Sequence, residues 1–415
     1  MSAKSENAQS PAVEAVLTEL KSTLSAARLK EAQGFAAHLL HRVTAEDLAA
    51  RPAAQWAAMA LDLLEFVRVR KPGVSSVRVF NPALDEQGYE STHTVIEVVT
   101  DDSPFLVDSV SMAVSAAGLL VHAIVHPVYR VERDAGGHVL SIGADAGSGK
   151  GKAESVMHFE ISRIAEAEEV KRLQHSVARS LNDVRAAVGD WATMRDKMLQ
   201  LSRELPQRKL PVDAAGVAEA QEFLNFVAGD HFTFLGYREY AVDKVDGVDV
   251  LRTLPNTGLG ILRQDEDAAP RPLNTLVARE LPQSGSTDAI ILTKTNSRAT
   301  VHRPGYMDYI SVLGFNDAGV PVTEQRFLGL FTSGAYMRRP QDVPLVRQKV
   351  ESVMERSGLK RESHSGKALR HILDTLPRDE LFQATVDELF ATAMGILQLQ
   401  ERTRSRPSRR NVEMV

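Results

Sequence analysis

The sequence predicts an α+β protein: a helical start, a sandwich of sheet and helices, a second β-rich domain, then helices again. Three observations predict it. Apolar residues recur at helical spacing up to about residue 70 and give way to β-branched runs after Lys71-Pro72-Gly73. One stripe, Val170, Leu173, Val177, Leu181, Val184 and Val188, steps by three or four residues and marks a long helix between two groups of strands. From Val343 onward helical spacing returns.

The elements follow in order. Leu17, Leu20 and Leu24, then Trp56, Met59, Leu63, Phe66 and Val67, predict helices in segment 1–72. Residues 77–80 and 94–99 are rich in β-branched side chains and predict strands. Thr100-Asp101-Asp102-Ser103-Pro104 has the form of a helix start, with Ser103 as N-cap and Pro104 at the first helical position. Leu106, Val110, Ala113, Val114 and Ala117 share a face of that helix, and Gly118 is placed to end it in a left-handed conformation. An extended run over 119–131, a turn at Asp134-Ala135-Gly136-Gly137 and a return strand from His138 follow. Residues 141–153 read as a loop and 156–164 as a strand. Segment 73–190 is thus strand, helix, strand, strand, helix around a mainly antiparallel sheet, with helices on one side.

Trp191, Met194, Met198 and Leu201 carry the helical spacing into a connector, 191–212, that breaks at Leu205-Pro206 and Leu210-Pro211. In segment 213–340 a helix over 217–227 precedes an aromatic, alternating strand over 232–240. Asp246-Gly247 and Asn316-Asp317-Ala318-Gly319 are turns, 264–287 is a polar mobile loop, and strands are expected near 289–293, 309–313 and 324–332. Segment 341–415 is helical and ends in a basic tail.

Composition removes several function classes. Of the 415 residues none is cysteine, which excludes disulfides, thiolate metal sites and a cysteine nucleophile. The net charge of -5 gives no global attraction to nucleic acid or anionic lipid, and the terminal arginines (Arg402, Arg404, Arg406, Arg409, Arg410) lack interleaved aromatics. No cationic segment precedes an apolar core at the start, and no apolar run reaches ~18 residues. Neither a nucleic-acid nor a membrane partner is expected, and a cytoplasmic location is.

Few motifs carry chemistry. The glycine-rich stretch from Gly143 to Gly151 fails as a phosphate loop: Ala144 and Gly151 stand where glycine and a magnesium ligand belong. His122 and His126 are about 13 Å apart along a strand rising ~3.3 Å per residue, so with His138 and His158 they read as sheet histidines. No G-x-S-x-G, H-E-x-x-H or G-x-G-x-x-G occurs; Gly258-Leu259-Gly260 holds only the first half, and Arg263 stands at the third glycine. His231, Asp230 and Arg238 surround the aromatic strand without forming a recognised catalytic arrangement, and Tyr237, Tyr240, Tyr306 and Tyr309 read as sheet and core aromatics. No catalytic, cofactor-binding or metal-binding residue is assigned. A loop feeding a helix start offers free backbone N–H groups to a small carboxylate or amino acid. Asp101, Asp102, Ser103 and Phe105, with Gly118 at the other end of the helix, are the candidate effector-binding residues.

Four phrases resemble the N-terminal region of the large bacterial NAD-specific glutamate dehydrogenases: Asp101 to Ser109 (DDSPFLVDS), Asp230 to Tyr240 (DHFTFLGYREY), Arg303 to Tyr309 (RPGYMDY) and Leu376 to Gln383 (LPRDELFQ). The resemblance runs from about residue 15 to 403. It implies an ACT-like α/β sandwich over 73–190, followed by a PAS-like β-rich domain over 213–340, flanked by helical segments. It also implies a regulatory and oligomerisation role. The family oxidises glutamate to 2-oxoglutarate with NAD, through a catalytic lysine, an aspartate and Rossmann glycines that fall beyond residue 415. No cofactor is therefore expected in this chain, and glutamate dehydrogenation by it alone is not expected. The expected partners are a homo-oligomer or the remaining dehydrogenase chain, and an amino-acid effector. The alternative is a free-standing amino-acid or small-molecule sensing module. After Arg402 the sequence departs from the family and becomes Thr403-Arg404-Ser405-Arg406-Pro407-Ser408-Arg409-Arg410.

Overall fold

The computed structural model describes residues 11–144, 150–246, 248–263, 271–272 and 290–404. The chain forms two compact units. One comprises residues up to Arg185 together with Thr300–Pro304; the other comprises Ala186–Ala299 and Gly305 onward. Both are built of helices and an antiparallel sheet.

In the first unit α1 (Pro11–Thr23), α2 (Ala26–Leu40), α3 (Ala45–Ala49) and α4 (Ala53–Val67) come first. Their stripes, among them Val16, Leu20, Phe35, Leu39, Met59, Leu63 and Val67, share one core with Val99, Tyr129, Val131 and Val156 of the sheet. Tyr129 Oη donates to the Phe35 carbonyl at 2.8 Å, so even the polar tip of this buried ring is satisfied. The strands are β1 (Ser76–Phe80), β2 (Thr94–Asp101), β3 (Val121–Val125), β4 (Val128–Arg133), β5 (Val139–Gly143) and β6 (Lys152–Ile161). Their order is β1-β2-β6-β4-β5, with β3 also on β6. β6 has β2 along one side and β3 and β4 end to end along the other, all antiparallel.

The pleat sorts the side chains. Val95 opposite Glu160, Glu97 opposite His158 and Val99 opposite Val156 share the face toward α4. Ile96 opposite Phe159 and Val98 opposite Met157 face the other way and are fully buried. That second face belongs to α5 (Leu106–Ala116) and the first part of α6 (Ala167–Glu204), whose buried stripes are Leu106, Val110 and Val114, and Leu173, Val177, Leu181 and Val184. The N-terminal helices thus add a third layer that periodicity alone did not locate.

Three boundaries differ from expectation. The run over 119–131 is two strands, because Pro127 has no N–H to continue the ladder. The strand expected at 156–164 begins at Lys152, and β5 reaches Gly143, so the loop expected at 141–153 is shorter; residues 145–149 lie outside the described residues. The loop at 264–287 also lies outside them, apart from Arg271–Pro272.

The second unit holds the last part of α6, then α7 (Ala214–Phe226) and strands β7 (Phe232–Val245), β8 (Val248–Thr253), β9 (Leu259–Gly260), β10 (Arg271–Pro272), β11 (Ile290–Arg298), β12 (Tyr306–Phe315) and β13 (Pro321–Phe331). The sheet order is β10-β8-β7-β13-β12-β11, with β9 on β7. Helices α8 (Ser333–Met337), α9 (Val346–Arg356), α10 (His364–Thr375), α11 (Arg378–Gln383) and α12 (Val386–Arg404) follow. One core joins Met194, Met198 and Leu201 of α6 and Phe223 of α7 to Phe234, Tyr237, Phe327 and Phe331 of the sheet and Leu373, Phe382 and Leu389 of the last helices. Phe331 and Phe382 stack with centroids 4.2 Å apart.

Candidate functional site

The β2–α5 loop carries the residues singled out in the sequence. Asp101 pairs with Arg70 Nη2 at 2.5 Å. Asp102 Oδ1 accepts from the buried Ser155 Oγ at 2.6 Å. Ser103 does not cap the helix. The N-cap is Phe105, held in a left-handed conformation (φ 72°, ψ 5°), and α5 begins at Leu106. The reason is a tertiary contact: the chain turns through Pro104 before it enters the helix, and the Phe105 ring packs on His302 at 4.6 Å. His302 is also at positive φ, and its N–H donates to Ser109 Oγ at 3.3 Å. Two bulky residues at positive φ in contact store strain of order 1–3 kcal/mol each. Since Ser103 closes no cap, Ser103→Ala should change stability by less than about 0.5 kcal/mol in urea unfolding. Gly118 has φ +76° and ends α5 as expected. It lies at the far end of that 11-residue helix, about 16 Å from the loop at ~1.5 Å per residue, so the structure does not bring it to Asp102.

On the α4 face of the sheet a chain of charges runs through the interior. Glu97, fully buried, accepts from Arg78 Nε at 2.7 Å and faces His158 Nδ1 at 3.0 Å. Arg78 also reaches Asp62 at 2.6 Å. Glu160 accepts from Arg51 at 2.5 Å and lies 3.4 Å from His93 and 3.8 Å from His158. Burial alone would raise the Glu160 carboxyl, but His158 and Arg51 hold it at about 2. For His158, burial opposes the cation, and hydrogen bonds and attraction to Glu160 and Glu97 outweigh it, so its pKa is raised. A second cluster joins Arg70 and Arg133 on Glu154, at 2.8 and 2.7 Å. Of these residues the sequence singles out His158 alone, as a sheet histidine, and none of its charged partners. The signal was present: a charged residue inside an otherwise apolar strand, Glu97 in 94–99 and His158 in 156–161, implies a buried partner.

Among the histidines, His122 lies against His93 with ring centroids 4.4 Å apart, His126 Nε2 is 3.0 Å from Ser155 Oγ, and His138 is exposed beside Asp134. Among the described residues no group of three His, Asp or Glu is placed to hold a metal. In the second unit the described tyrosines sit in different surroundings. Tyr237 is in the helix-facing core, while Tyr240 and Tyr309 flank the buried Arg326 guanidinium at 4.1 and 4.9 Å. Tyr306 is exposed. His231 Nδ1 meets the Phe226 carbonyl at 2.9 Å and stacks on that ring. Gly260 lies in a short strand rather than at a strand-to-helix turn, and its N–H donates to Asp190 Oδ2 at 2.8 Å.

The geometry coincides with known families. Residues 35–177, from α2 through the first sheet into α6, match the glutamate dehydrogenase ACT1 domain, and residues 343–402, the last helices, match glutamate dehydrogenase helical motif 1. The NAD-specific glutamate dehydrogenase of Halomonas elongata is 36% identical over 395 residues, which is 93% of this chain and 24% of that protein. The Pseudomonas aeruginosa protein of the same name is 38% identical over 80% of this chain and 20% of its own length. The Mycobacterium tuberculosis protein of that name is 24% identical over 80% of the chain. The chain therefore spans about a fifth to a quarter of the length of these curated relatives. It belongs to the N-terminal region of the NAD-specific glutamate dehydrogenase family.

Proposed function

We propose that this chain is the regulatory and assembly segment of an NAD-dependent glutamate dehydrogenase, which oxidises glutamate to 2-oxoglutarate. The observation that carries the reading is the span of the ACT1 match: it takes in the whole first sheet, the strained β2–α5 loop and α5. An amino acid is the effector, held at the loop by Asp101, Asp102 and the backbone around Ser103 and Phe105, with Gly118 setting the far end of α5. The finer parts of the reading are an ACT-like 73–190 behind helices 1–72, a connector 191–212, a PAS-like 213–340 and a helical 341–415. Self-association or docking to the remaining dehydrogenase chain, in the cytoplasm, completes it; NAD serves the catalytic part of the family.

Calorimetry on the 415-residue chain with amino acids, 2-oxoglutarate and nucleotides, its mass in solution recorded alongside, tests the proposal. A saturable amino-acid signal on a defined oligomer is expected, and Asp102→Ala should weaken it about tenfold while leaving the fold intact. Amino-acid binding that Asp102→Ala leaves untouched would remove the loop from the site. Silence from every ligand on a monomeric chain would sink the regulatory and assembly roles together.

A further inference from the structure

The face of the second sheet turned away from its aromatic core buries two arginines side by side. Tyr237 and Phe327 pair across β7 and β13 and belong to that core. The adjacent residues Arg238 and Arg326 also pair, and the pleat sends both to the opposite face. Arg238 is 0% exposed and Arg326 5%.

The two cations are neutralised unequally. Arg326 donates to Glu324 at 2.8 Å from Nε and at 3.2 Å from Nη2, and the rings of Tyr240 and Tyr309 flank it. Among the described residues Arg238 makes a single hydrogen bond, from Nη2 to the Arg263 carbonyl at 3.3 Å. Its Nε and Nη1 are buried there without a partner, and no carboxylate pairs with it. The carboxylates of its surroundings are committed. Glu324 also accepts from Tyr309, and Asp190 accepts from the Gly260 N–H and from Arg263. The turn from Gly258 to Arg263 closes on the guanidinium: a Cβ on Gly258 would lie 2.2 Å from Nη2.

A buried lysine could shed its proton, but arginine keeps its charge in any protein interior. An isolated buried cation is far costlier than a buried pair, and most of this guanidinium's N–H donors are left over. One uncompensated charge asks for one negative charge, and full enclosure admits only a small carrier. We propose that Arg238 holds a small monovalent anion, of the size of a halide, nitrate or formate, on its Nε and Nη1. The site lies in the second unit and does not depend on the amino-acid reading of the β2–α5 loop. It makes the stability of the second sheet depend on anion supply.

Hydrogen exchange at the β7 and β13 amides of the 415-residue chain tests this, with chloride replacing gluconate at constant ionic strength. Gluconate is too large to enter. Protection should rise in proportion to chloride, about tenfold per tenfold increase, once chloride exceeds its dissociation constant. Arg238→Met removes the charge at similar volume and should abolish that rise. Crystals of the parent grown in bromide should show anomalous scattering against the Arg238 guanidinium, a measurement that needs no variant to fold. Loss of the bromide signal to nitrate or formate would identify a planar oxyanion as the preferred occupant; bromide held against both would identify a halide. Absence of bromide at Arg238, with water in its place, overturns the proposal. So does a parent whose protection responds to chloride no more than that of Arg238→Met.

Discussion

Glu97→Ala should lower the unfolding free energy by about 3–5 kcal/mol in urea, because it leaves buried charges without their counter-charge. Glu97 is fully buried and is the carboxylate shared by Arg78 and His158. Without it Arg78 keeps only Asp62, and His158 keeps only the looser Glu160 at 3.8 Å. The same group sets a pH dependence. The charges around His158 are Glu97 and Glu160, with Arg51, Arg78, Asp62 and His93 beyond them. The folded pKa of His158 is raised above its unfolded value of about 6.5. Its contribution is therefore complete below about pH 6.5 and is lost as pH rises through the folded value. His126 and His302, lowered chiefly by burial, contribute with the opposite sign, so the informative quantity is the difference between parent and Glu97→Ala. That difference should shrink as pH rises through the window. A Glu97→Ala protein as stable as the parent, or a difference that grows with pH, would contradict the account.

Gly137→Ala is the second large effect, at about 2–5 kcal/mol. Gly137 sits in the β4–β5 turn at φ +88°. A Cβ there would lie 2.1 Å from the Arg70 carbonyl oxygen, a backbone atom that cannot swing aside. The left-handed conformation costs roughly 1–2 kcal/mol for a non-glycine residue, and overpacking a further ~1–3. The close approach is functional in its placement: Arg70 N–H donates to the Gly137 carbonyl at 3.0 Å, and the Arg70 guanidinium holds Glu154 and Asp101. Gly137→Ala should therefore both lower the urea midpoint and loosen the β2–α5 loop, visible as faster amide exchange at Asp101 and Asp102. Wild-type stability in this variant would show that the turn yields easily.

The elements with an unbroken period were legible in the sequence. The stripe from Leu173 to Val184 folds as α6, Gly118 ends α5, and the turn at 134–137 closes β4 on β5. Where reading failed, a local signal met a tertiary one. Ser103-Pro104 has helix-start chemistry, yet the contact of Phe105 with His302, nearly 200 positions along the chain, shifts the start to Leu106. The charge chain was hidden for a similar reason. Arg51, Asp62, Arg78, Glu97, His158 and Glu160 are spread over the turn before α4, α4, β1, β2 and β6, and the strand register aligns those of the sheet.

The third layer has a consequence for growth of the sheet. With α1–α4 on one face and α5 and α6 on the other, stacking a further sheet on it is closed off. The rim is not. Among the described residues β3 pairs with β6 alone, its neighbour Leu120 is 67% exposed and Ile124 is 43% exposed. A strand of this kind, without charge or proline to blunt it, is a ready template for another. Anything that joins the sheet there must enter its plane and widen it, so a second chain would add to the row of strands and leave the layers as they are.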